Sequence, residues 1–257
     1  MRRTLLLSLV ALVILGVAAA CPAPVVVAPE PIYTYKDGVF EAVSDSVRGY
    51  AWVRLFIARD EILHVDIVEY DGMGMAKDLD IYSGDRFTLL PAALEALTTR
   101  IVAANTWDVE VFTGATATSN KVRQAAQRAL EKALVAPPPD VGKYFDGTFM
   151  GKSDVTFRGW HFALVTIEND TIVAIKLEGT TPLRDEARAI ILDAKNRGTW
   201  VVKGADYPWE PYLEAKVVIA ERMLEAQNHE VDIFTGATGS SLGWMQAVQR
   251  ALETALR

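Results

Sequence analysis

Residues 112–116 and residues 234–238 both read FTGAT, and a similar closing segment follows each pentapeptide. The first closing segment is QAAQRALEKAL at 124–134, and the second is QAVQRALETAL at 246–256. Self-similarity at a spacing this wide is typical of a duplicated folding unit. The chain is therefore predicted to contain two copies of one unit.

The offsets between matching segments place the boundaries of the copies. YKDGVF at 35–40 corresponds to YFDGTF at 144–149, about 110 positions later, whereas FTGAT recurs 122 positions later. The second copy therefore holds about a dozen extra residues, which loops accommodate best. Between the copies lies VAPPPDVG, a proline cluster that cannot continue a helix. We predict a first copy at 33–136, a Pro-rich linker at 137–143 and a second copy at 144–257.

Each copy has a first half typical of strands and a second half typical of helices. Aliphatic and aromatic residues predict paired strands, with hairpin turns at Arg59-Asp60 and Asn169-Asp170. These strands are predicted at 50–57, 62–70, 160–167 and 171–177. Helical spacing predicts helices at 91–104, 185–196 and 211–227, and an amphipathic helix after each FTGAT. Strands followed by helices, without regular alternation, indicate an α+β fold.

Composition narrows the range of functions. The chain has 257 residues, 51% of them apolar, and carries 33 acidic against 26 basic side chains, so a packed acidic protein is expected. Nucleic acid is not an expected partner, because binding to its phosphates needs a basic surface. One cysteine excludes an intramolecular disulfide, and three histidines leave little for a metal site. The sequence shows no hydrolase signature, so no catalytic residue and no metal ligand is predicted.

The first residues are typical of an export signal. Arg2 and Arg3 precede an uncharged stretch that ends in three alanines, so residues 1–20 are predicted to be a signal peptide. The junction before Cys21 resembles a lipobox, where bacterial lipoproteins are cleaved and acylated on cysteine. The prolines of 21–32 indicate an extended tether. We expect an exported protein, lipid-anchored through Cys21 to the extracytosolic side of a membrane, in the cell envelope or periplasm. Simple secretion and a short transmembrane anchor are the alternatives.

The two FTGAT loops have the composition of an anion-binding helix N-terminus. Residues 110–119 read EVFTGATATS and residues 232–241 read DIFTGATGSS, in each case directly before a helix. Backbone N–H groups and the positive end of a helix suit a phosphate, and glycine lets the backbone approach it closely. One such hydroxyl is ordinarily a helix cap. Two nearly identical loops in otherwise diverged copies favour a ligand instead.

The pattern acid-x-x-Thr-Gly-Ala-Thr-x-Thr/Ser in both loops resembles the flavinylation motif of the FMN-binding domain family. That family includes the C subunit of sodium-pumping NADH:quinone reductase and the G subunit of the related electron-transport complex. The resemblance implies two tandem copies of a small domain with an antiparallel sheet and helices. It also implies that an exported flavin transferase joins FMN, through its phosphate, to the last hydroxyl of the motif. That hydroxyl falls on Thr118 and on Ser240, and Thr118 ranks higher because the second copy replaces threonine with serine.

The remaining motif residues are implied to contact the cofactor. They are Glu110, Thr113, Gly114, Ala115 and Thr116 in the first copy, and Asp232, Thr235, Gly236, Ala237 and Thr238 in the second. Glu110 departs from the family, which prefers aspartate at this position. Aromatic residues at equivalent places, Tyr50, Trp52, Trp160 and Phe162, are candidates to contact the flavin ring, although packing in the core is their more ordinary role.

The resemblance implies an electron carrier rather than a self-contained enzyme. With one or two covalent FMN groups per chain, such a lipoprotein would relay electrons between a membrane redox donor and an extracytosolic acceptor. Two alternatives stay open. One is a lipoprotein that binds or traffics FMN reversibly without a relay role, and the other is a structural lipoprotein whose loops hold no flavin.

Overall fold

Two antiparallel sheets, one in each copy, carry the helices of the protein. The structure, a computed structural model, describes residues 33–82 and 88–257. The predicted signal peptide, Cys21 and most of the tether therefore lie outside the described residues. The elements are β1 (Gly38–Val43), β2 (Ala51–Ala58), β3 (Glu61–Glu69), α1 (Leu79–Tyr82), α2 (Leu90–Ala104), α3 (Thr116–Ala133), β4 (Gly147–Lys152), β5 (His161–Glu168), β6 (Thr171–Pro182), β7 (Trp200–Val202), α4 (Glu210–Ala226) and α5 (Thr238–Ala255).

The strand order is the same in both copies apart from one added strand. The first sheet has the order β1-β2-β3 and the second has β4-β5-β6-β7, with every neighbouring pair antiparallel. Each copy continues with a helix before its FTGAT loop and a helix after it. The predicted α+β fold with two copies of one unit is confirmed, while β1, β4 and β7 were not among the predicted strands. The exact domain boundaries stay a prediction.

The two predicted hairpin turns have the same geometry. Arg59 and Asp60 have φ of 54° and 64°, and Asn169 and Asp170 have 49° and 61°. Left-handed backbone at both central residues makes a type I′ turn, whose twist matches that of the flanking strands. The carboxylates of Asp60 and Asp170 also accept hydrogen bonds from two backbone N–H groups at the start of their own copy. Each turn therefore ties the first residues of a copy to its sheet.

The core of each copy lies between one sheet face and the two longer helices. Along β2 burial alternates, with Ala51, Val53, Leu55 and Ile57 all buried, as expected of a strand with one face covered. Four alanines on α3 are fully buried against this sheet. Such short side chains let the helix backbone approach the strands closely. The start of α3 is therefore held in a fixed position beside the end of the sheet.

The helix predicted at 185–196 is wrong. This segment instead forms two successive turns in an antiparallel ladder that extends β6 and β7, with bridges at Arg184–Ile190 and Leu192–Gly198. The turns are closed by the carboxylates of Asp185 and Asp193, which accept backbone N–H groups within the same segment. Aspartate makes such local bonds readily and therefore favours turns over helix interiors. This ladder holds the extra residues of the second copy.

The copies pack against each other. The Trp160 indole N–H donates to the carbonyl of Met73 at 2.8 Å, and the backbone N–H of Ser46 donates to the carbonyl of Thr148 at 2.8 Å. Arg128 of α3 reaches the carbonyl of Asp146, where the second copy begins, also at 2.8 Å. Residues 33–257 form one compact unit. Within the described parts of this unit, every helix is too short or too polar to span a bilayer.

Candidate functional site

The FTGAT loops form tight turns that lead directly into α3 and α5. The backbone N–H of Ala115 donates to the carbonyl three residues earlier at 3.0 Å, and that of Ala237 does so at 3.1 Å. Gly114 and Gly236 have φ of 85° and 88°. Positive φ at the third residue of a four-residue turn requires glycine in practice, because a Cβ would clash with the backbone. The glycine of FTGAT is therefore needed for the shape of the loop.

A buried serine closes each loop onto its helix. The hydroxyl of Ser119 accepts the backbone N–H of Phe112 at 2.9 Å and donates to the carbonyl of Ala115 at 2.9 Å. Ser241 makes the same two bonds at 3.1 and 3.0 Å. Both serines are fully buried. These two hydroxyls therefore have a structural role and are not candidates for cofactor attachment.

The other hydroxyls of the loops are not used as helix caps. The N-cap positions are Ala115 and Ala237, and neither helix start has a side-chain capping bond. The exposed hydroxyls at the first helical position are those of Thr116 and Thr238, and the half-buried ones two residues later are those of Thr118 and Ser240. The helix starts thus present backbone N–H groups and several hydroxyls together, as anion sites do.

The acidic residue of each motif is held by its backbone. The guanidinium of Arg100 donates to the carbonyl of Glu110, and that of Arg222 donates to the carbonyl of Asp232, both at 2.7 Å. The carboxylates themselves are exposed, as are Thr113 and Thr235. The structure therefore explains how this part of the loop is fixed and leaves the predicted cofactor contacts of these residues as predictions.

A large cavity opens beside the loop of the second copy. Its volume is about 990 Å³, and its walls come from the loop between β4 and β5, the start of β5, the end of β6, the segment after β7, and the starts of α4 and α5. Four of the six residues predicted for this copy line it, whereas Asp232 and Thr235 do not. The four are Gly236, Ala237, Thr238 and Ser240. This volume is at the upper end of the roughly 300–1,000 Å³ typical of small-molecule sites.

Two buried polar atoms in the wall of this cavity have no hydrogen-bond partner among the described residues. They are the Tyr212 hydroxyl and the His161 Nε2. Burial lowers the pKa of His161 to about 4, so its imidazole is neutral at pH 7, and burial raises the pKa of Tyr212. Buried polar atoms are normally paired, since leaving one unpaired is costly. Their position therefore indicates that a water or a polar ligand in the cavity pairs with them.

Positive charge is concentrated around the same cavity. Arg158, Arg184 and Lys203 line it, and the carboxylate of Asp154 at its edge is paired with Arg250 at 2.7 Å. The ammonium of Lys203 lies 4.5 Å from the centre of the Tyr212 ring. Burial at this place lowers the pKa of Lys203. On a chain with a net charge of −7, such a cluster favours an anionic ligand locally.

The corresponding place in the first copy is filled by ionic side chains. The hydroxyl of Thr118 donates to the carboxylate of Glu69 at 3.0 Å. The same carboxylate pairs with Lys77 at 2.6 Å and Lys121 at 3.5 Å, and its side chain is only 1% exposed. The two copies thus share the loop geometry but differ in what faces the loop.

The four aromatic candidates are mostly packing residues. Tyr50 stacks on Tyr70 with ring centres 4.6 Å apart, and Trp52 lies beneath the guanidinium of Arg54 at 4.6 Å. Trp160 and Phe162 are buried in a small cluster between the copies, although Trp160 also borders the cavity. Core packing is therefore their main role.

Sequence reasoning missed the residues that face the two loops. His161, Tyr212 and Lys203 in the second copy lie far from FTGAT in sequence, as does Glu69 in the first. A signal was present in the glycines of the second copy, at 179, 239 and 243, where the first copy has larger residues. Unequal residue size at equivalent positions would have indicated that one site is open.

Both copies match a known protein family. The FMN-binding domain family matches residues 48–131 and 157–253. Among solved structures, a crystal structure of the CPE2226 protein from Clostridium perfringens matches with 20% identity and a TM-score of 0.32, covering 38% of this chain and 88% of that one. A search of curated proteins finds no match. The two family segments include both FTGAT loops and most of the described elements, and the chain belongs to the FMN-binding domain family.

Proposed function

We propose that this protein is an exported, lipid-anchored electron carrier with FMN joined through its phosphate to a hydroxyl of an FTGAT loop. The observation that carries the proposal is the cavity beside the second loop, where the buried Tyr212 hydroxyl has no hydrogen-bond partner in the part of the chain that the structure describes. The membership of the chain in an FMN-binding family supports the choice of ligand.

The residues of the cavity fit the two chemical parts of FMN. The phosphate is suited to the start of α5, where backbone N–H groups and the hydroxyls of Thr238 and Ser240 lie together. The ring carries polar edge atoms, to which the Tyr212 hydroxyl and the His161 Nε2, both without a hydrogen-bond partner within 33–82 and 88–257, could bond. The cavity volume of about 990 Å³ is sufficient for a ligand of this size.

Attachment needs an activated flavin donor. A phosphate monoester is a poor electrophile, so we take the donor to be a flavin dinucleotide supplied to a separate flavin transferase. The loop hydroxyl oxygen forms a bond to the flavin-side phosphorus, the bond between the two phosphates breaks, and adenosine monophosphate leaves with the bonding electron pair. The hydroxyl proton is released to solvent. Either hydroxyl at the mouth of the second loop can act, because neither is used to cap the helix.

The cavity residues would hold the cofactor in a defined environment. Neutral His161 can donate or accept one hydrogen bond, and the Tyr212 hydroxyl can do both. The ammonium of Lys203 places positive charge near the ring site, which favours added negative charge there. When bound, FMN supplies a ring that accepts one or two electrons, and its potential depends on such neighbours.

A covalent bond suits an acidic exported protein. The chain carries a net charge of −7, which repels a phosphate ligand at long range. A reversibly bound cofactor would be lost by dilution outside the cytosol, whereas a tethered one keeps a high effective concentration. The predicted lipid on Cys21 would then keep the carrier near a membrane redox donor and an extracytosolic acceptor.

The test is an intact mass of the exported chain from a host that contains a flavin transferase. We expect a mass increase equal to one or two FMN groups that survives denaturation and gel filtration. Trypsin places the loops on separate peptides, because it cleaves after Arg100 and Lys121 and after Arg222 and Arg250. Peptide mapping of Thr116→Ala, Thr118→Ala, Thr238→Ala and Ser240→Ala variants then identifies the hydroxyl that is modified.

Thr99→Ala is the matched control, since Thr99 is an exposed threonine on α2 outside both loops. It should keep the full mass increase. Flavin that leaves on denaturation would support a reversible FMN-binding lipoprotein instead. A chain that remains colourless and unmodified in this host would refute the flavoprotein proposal.

A further inference from the structure

The two copies differ at the positions that face the attachment loop. In the sheets, Glu69 lies opposite Ala51, and Gly179 lies opposite His161 at the corresponding place in the second copy. On the final helices, Lys121 and Gly243 each stand seven residues after the loop glycine. Two charged side chains of the first copy are thus replaced by hydrogen atoms in the second.

The glycines of the second copy are required by its cavity residues. A Cβ added at Gly179 would lie 2.8 Å from the Tyr212 hydroxyl and 3.1 Å from the His161 ring. A Cβ at Gly243 would lie 2.8 Å from Cγ of His161. The two distances of 2.8 Å are shorter than the contacts that real Cβ atoms make. Side chains at these positions would therefore displace the residues that line the cavity.

The first copy has satisfied its own polar groups. Its buried Glu69 carboxylate accepts the Thr118 hydroxyl at 3.0 Å and pairs with the ammonium groups of Lys77 and Lys121. Where the second copy has His161 and Tyr212, the first has Ala51 and Leu90, both buried and apolar. Because these two side chains contain no polar atom, they cannot form a hydrogen bond to the edge of a ring.

We propose that FMN is attached to the second copy alone, and that Glu69 and Lys121 keep the first copy closed to it. This inference rests on the proposed flavin attachment and reverses the ranking of Thr118 above Ser240. A phosphate on Thr118 would lose the bond from that hydroxyl to Glu69 and would compete with this carboxylate, which is 1% exposed, for the ammonium groups of Lys77 and Lys121. A buried carboxylate that loses its ionic partner keeps its desolvation penalty, which is costly. A flavin joined at Thr116, which is not a helix cap either, would meet the same occupied place. In the second copy the ester would instead form beside an open cavity lined by cations.

The first experiment is the flavin count of the unaltered full-length chain, exported with a flavin transferase and analysed by intact mass and tryptic mapping. We expect one FMN per chain, carried by the peptide 223–250. Thr118→Ala should leave that count unchanged. FMN on the peptide 101–121, alone or with a second FMN on 223–250, would overturn the inference and leave the proposed function standing. No FMN on either peptide would refute the proposed function, and the inference with it.

Reciprocal substitutions test the cause. Glu69→Gly with Lys121→Gly gives the first copy the glycines of the second, and we expect the flavin count to rise above one. Gly179→Glu gives the second copy the blocking residue, and we expect its flavin to fall at least tenfold. Circular dichroism checks that each variant is folded. If a variant does not fold, the number of FMN groups on the unaltered chain still tests the inference.

Glu69 could also have the opposite role, as a base that activates Thr118. That role requires flavin on the peptide 101–121 of the unaltered chain and its loss in Glu69→Gln. This outcome would overturn the inference, whereas an unmodified 101–121 peptide in both proteins would support it.

Discussion

Replacing Arg128 by methionine should strongly destabilise the protein, because this arginine joins the two copies. Its guanidinium donates to the carbonyl of Val43 at 2.9 Å, to the carboxylate of Asp45 at 2.7 Å and to the carbonyl of Asp146 at 2.8 Å. It also lies 4.9 Å from the centre of the Phe149 ring. Only 8% of the side chain is exposed.

The expected size of the loss follows from these contacts. Removing one partner of a largely buried, hydrogen-bonded ion pair costs about 3–5 kcal/mol, because the other partner keeps its desolvation penalty. The equivalent residue in the second copy, Arg250, makes a similar pair with Asp154 and a bond to the carbonyl of Lys152. Its side chain is 40% exposed and that of Asp154 is 73% exposed, so Arg250→Met should cost about 1 kcal/mol.

Urea unfolding of the full chain at pH 7 measures both variants. At a slope of about 3 kcal/mol per molar urea, Arg128→Met should lower the midpoint by about 1 M or more. Arg250→Met should lower the urea midpoint by only a few tenths of a molar. Equal losses in the two variants would refute the reasoning, because burial is the main difference between the two sites. A loss below about 1 kcal/mol in Arg128→Met would do the same.

Three further predictions concern the second copy. Gly236→Ala places a side chain on a residue with φ of 88° and should lower the free energy of unfolding by about 1 kcal/mol or more. Its control is Gly239→Ala, whose new Cβ has nothing within 4 Å. This control should be neutral or stabilising in the same urea unfolding experiments. Ser241→Ala removes both bonds that close the loop and should cost about 1–2 kcal/mol and slow flavin attachment, whereas Ser240→Ala should leave the melting temperature unchanged. The pKa of His161 is lowered from 6.5 to about 4, so the unfolded chain takes up a proton first as the pH falls. The free energy of unfolding therefore falls as the pH is lowered from about 6.5 to about 4. Between pH 7.5 and pH 5, this fall should be about 2 kcal/mol smaller in His161→Gln than in the unaltered protein. Equal falls in the two proteins would contradict the prediction.

Local sequence predicted the elements whose structure depends on local interactions. The hairpins at Arg59-Asp60 and Asn169-Asp170 formed as expected, because these residues adopt left-handed backbone at low cost. The helices at 90–104 and 210–226 also formed where their spacing placed them. The segment 185–196 contains helix formers, yet it became a ladder of turns, because its aspartates bond to nearby backbone and two antiparallel bridges, Arg184–Ile190 and Leu192–Gly198, form within and beside it. Helical spacing alone did not separate these turns from a helix.

The shape of the FTGAT loops was predictable for a similar reason. A turn with glycine at positive φ, followed by a helix start, needs only consecutive residues, and FTGAT supplies them twice. The role of Ser119 and Ser241 in closing the loop was not separated from that of their neighbours, because all the hydroxyls look alike in sequence. Only the fold shows that these two are buried and bonded.

By itself, the amino-acid sequence determined that this protein is a duplicated α+β unit with an FMN-family loop in each copy. Those features follow from short-range patterns and from similarity between the copies. The tertiary structure alone decided what faces each loop. Residues from β3, β6 and α4 meet the final helix there, and they close the site with Glu69 in one copy and leave a cavity lined by Tyr212 in the other. The physical reason is that burial and pairing of these side chains depend on contacts between residues about 30 to 80 positions apart in the chain, which no local pattern encodes.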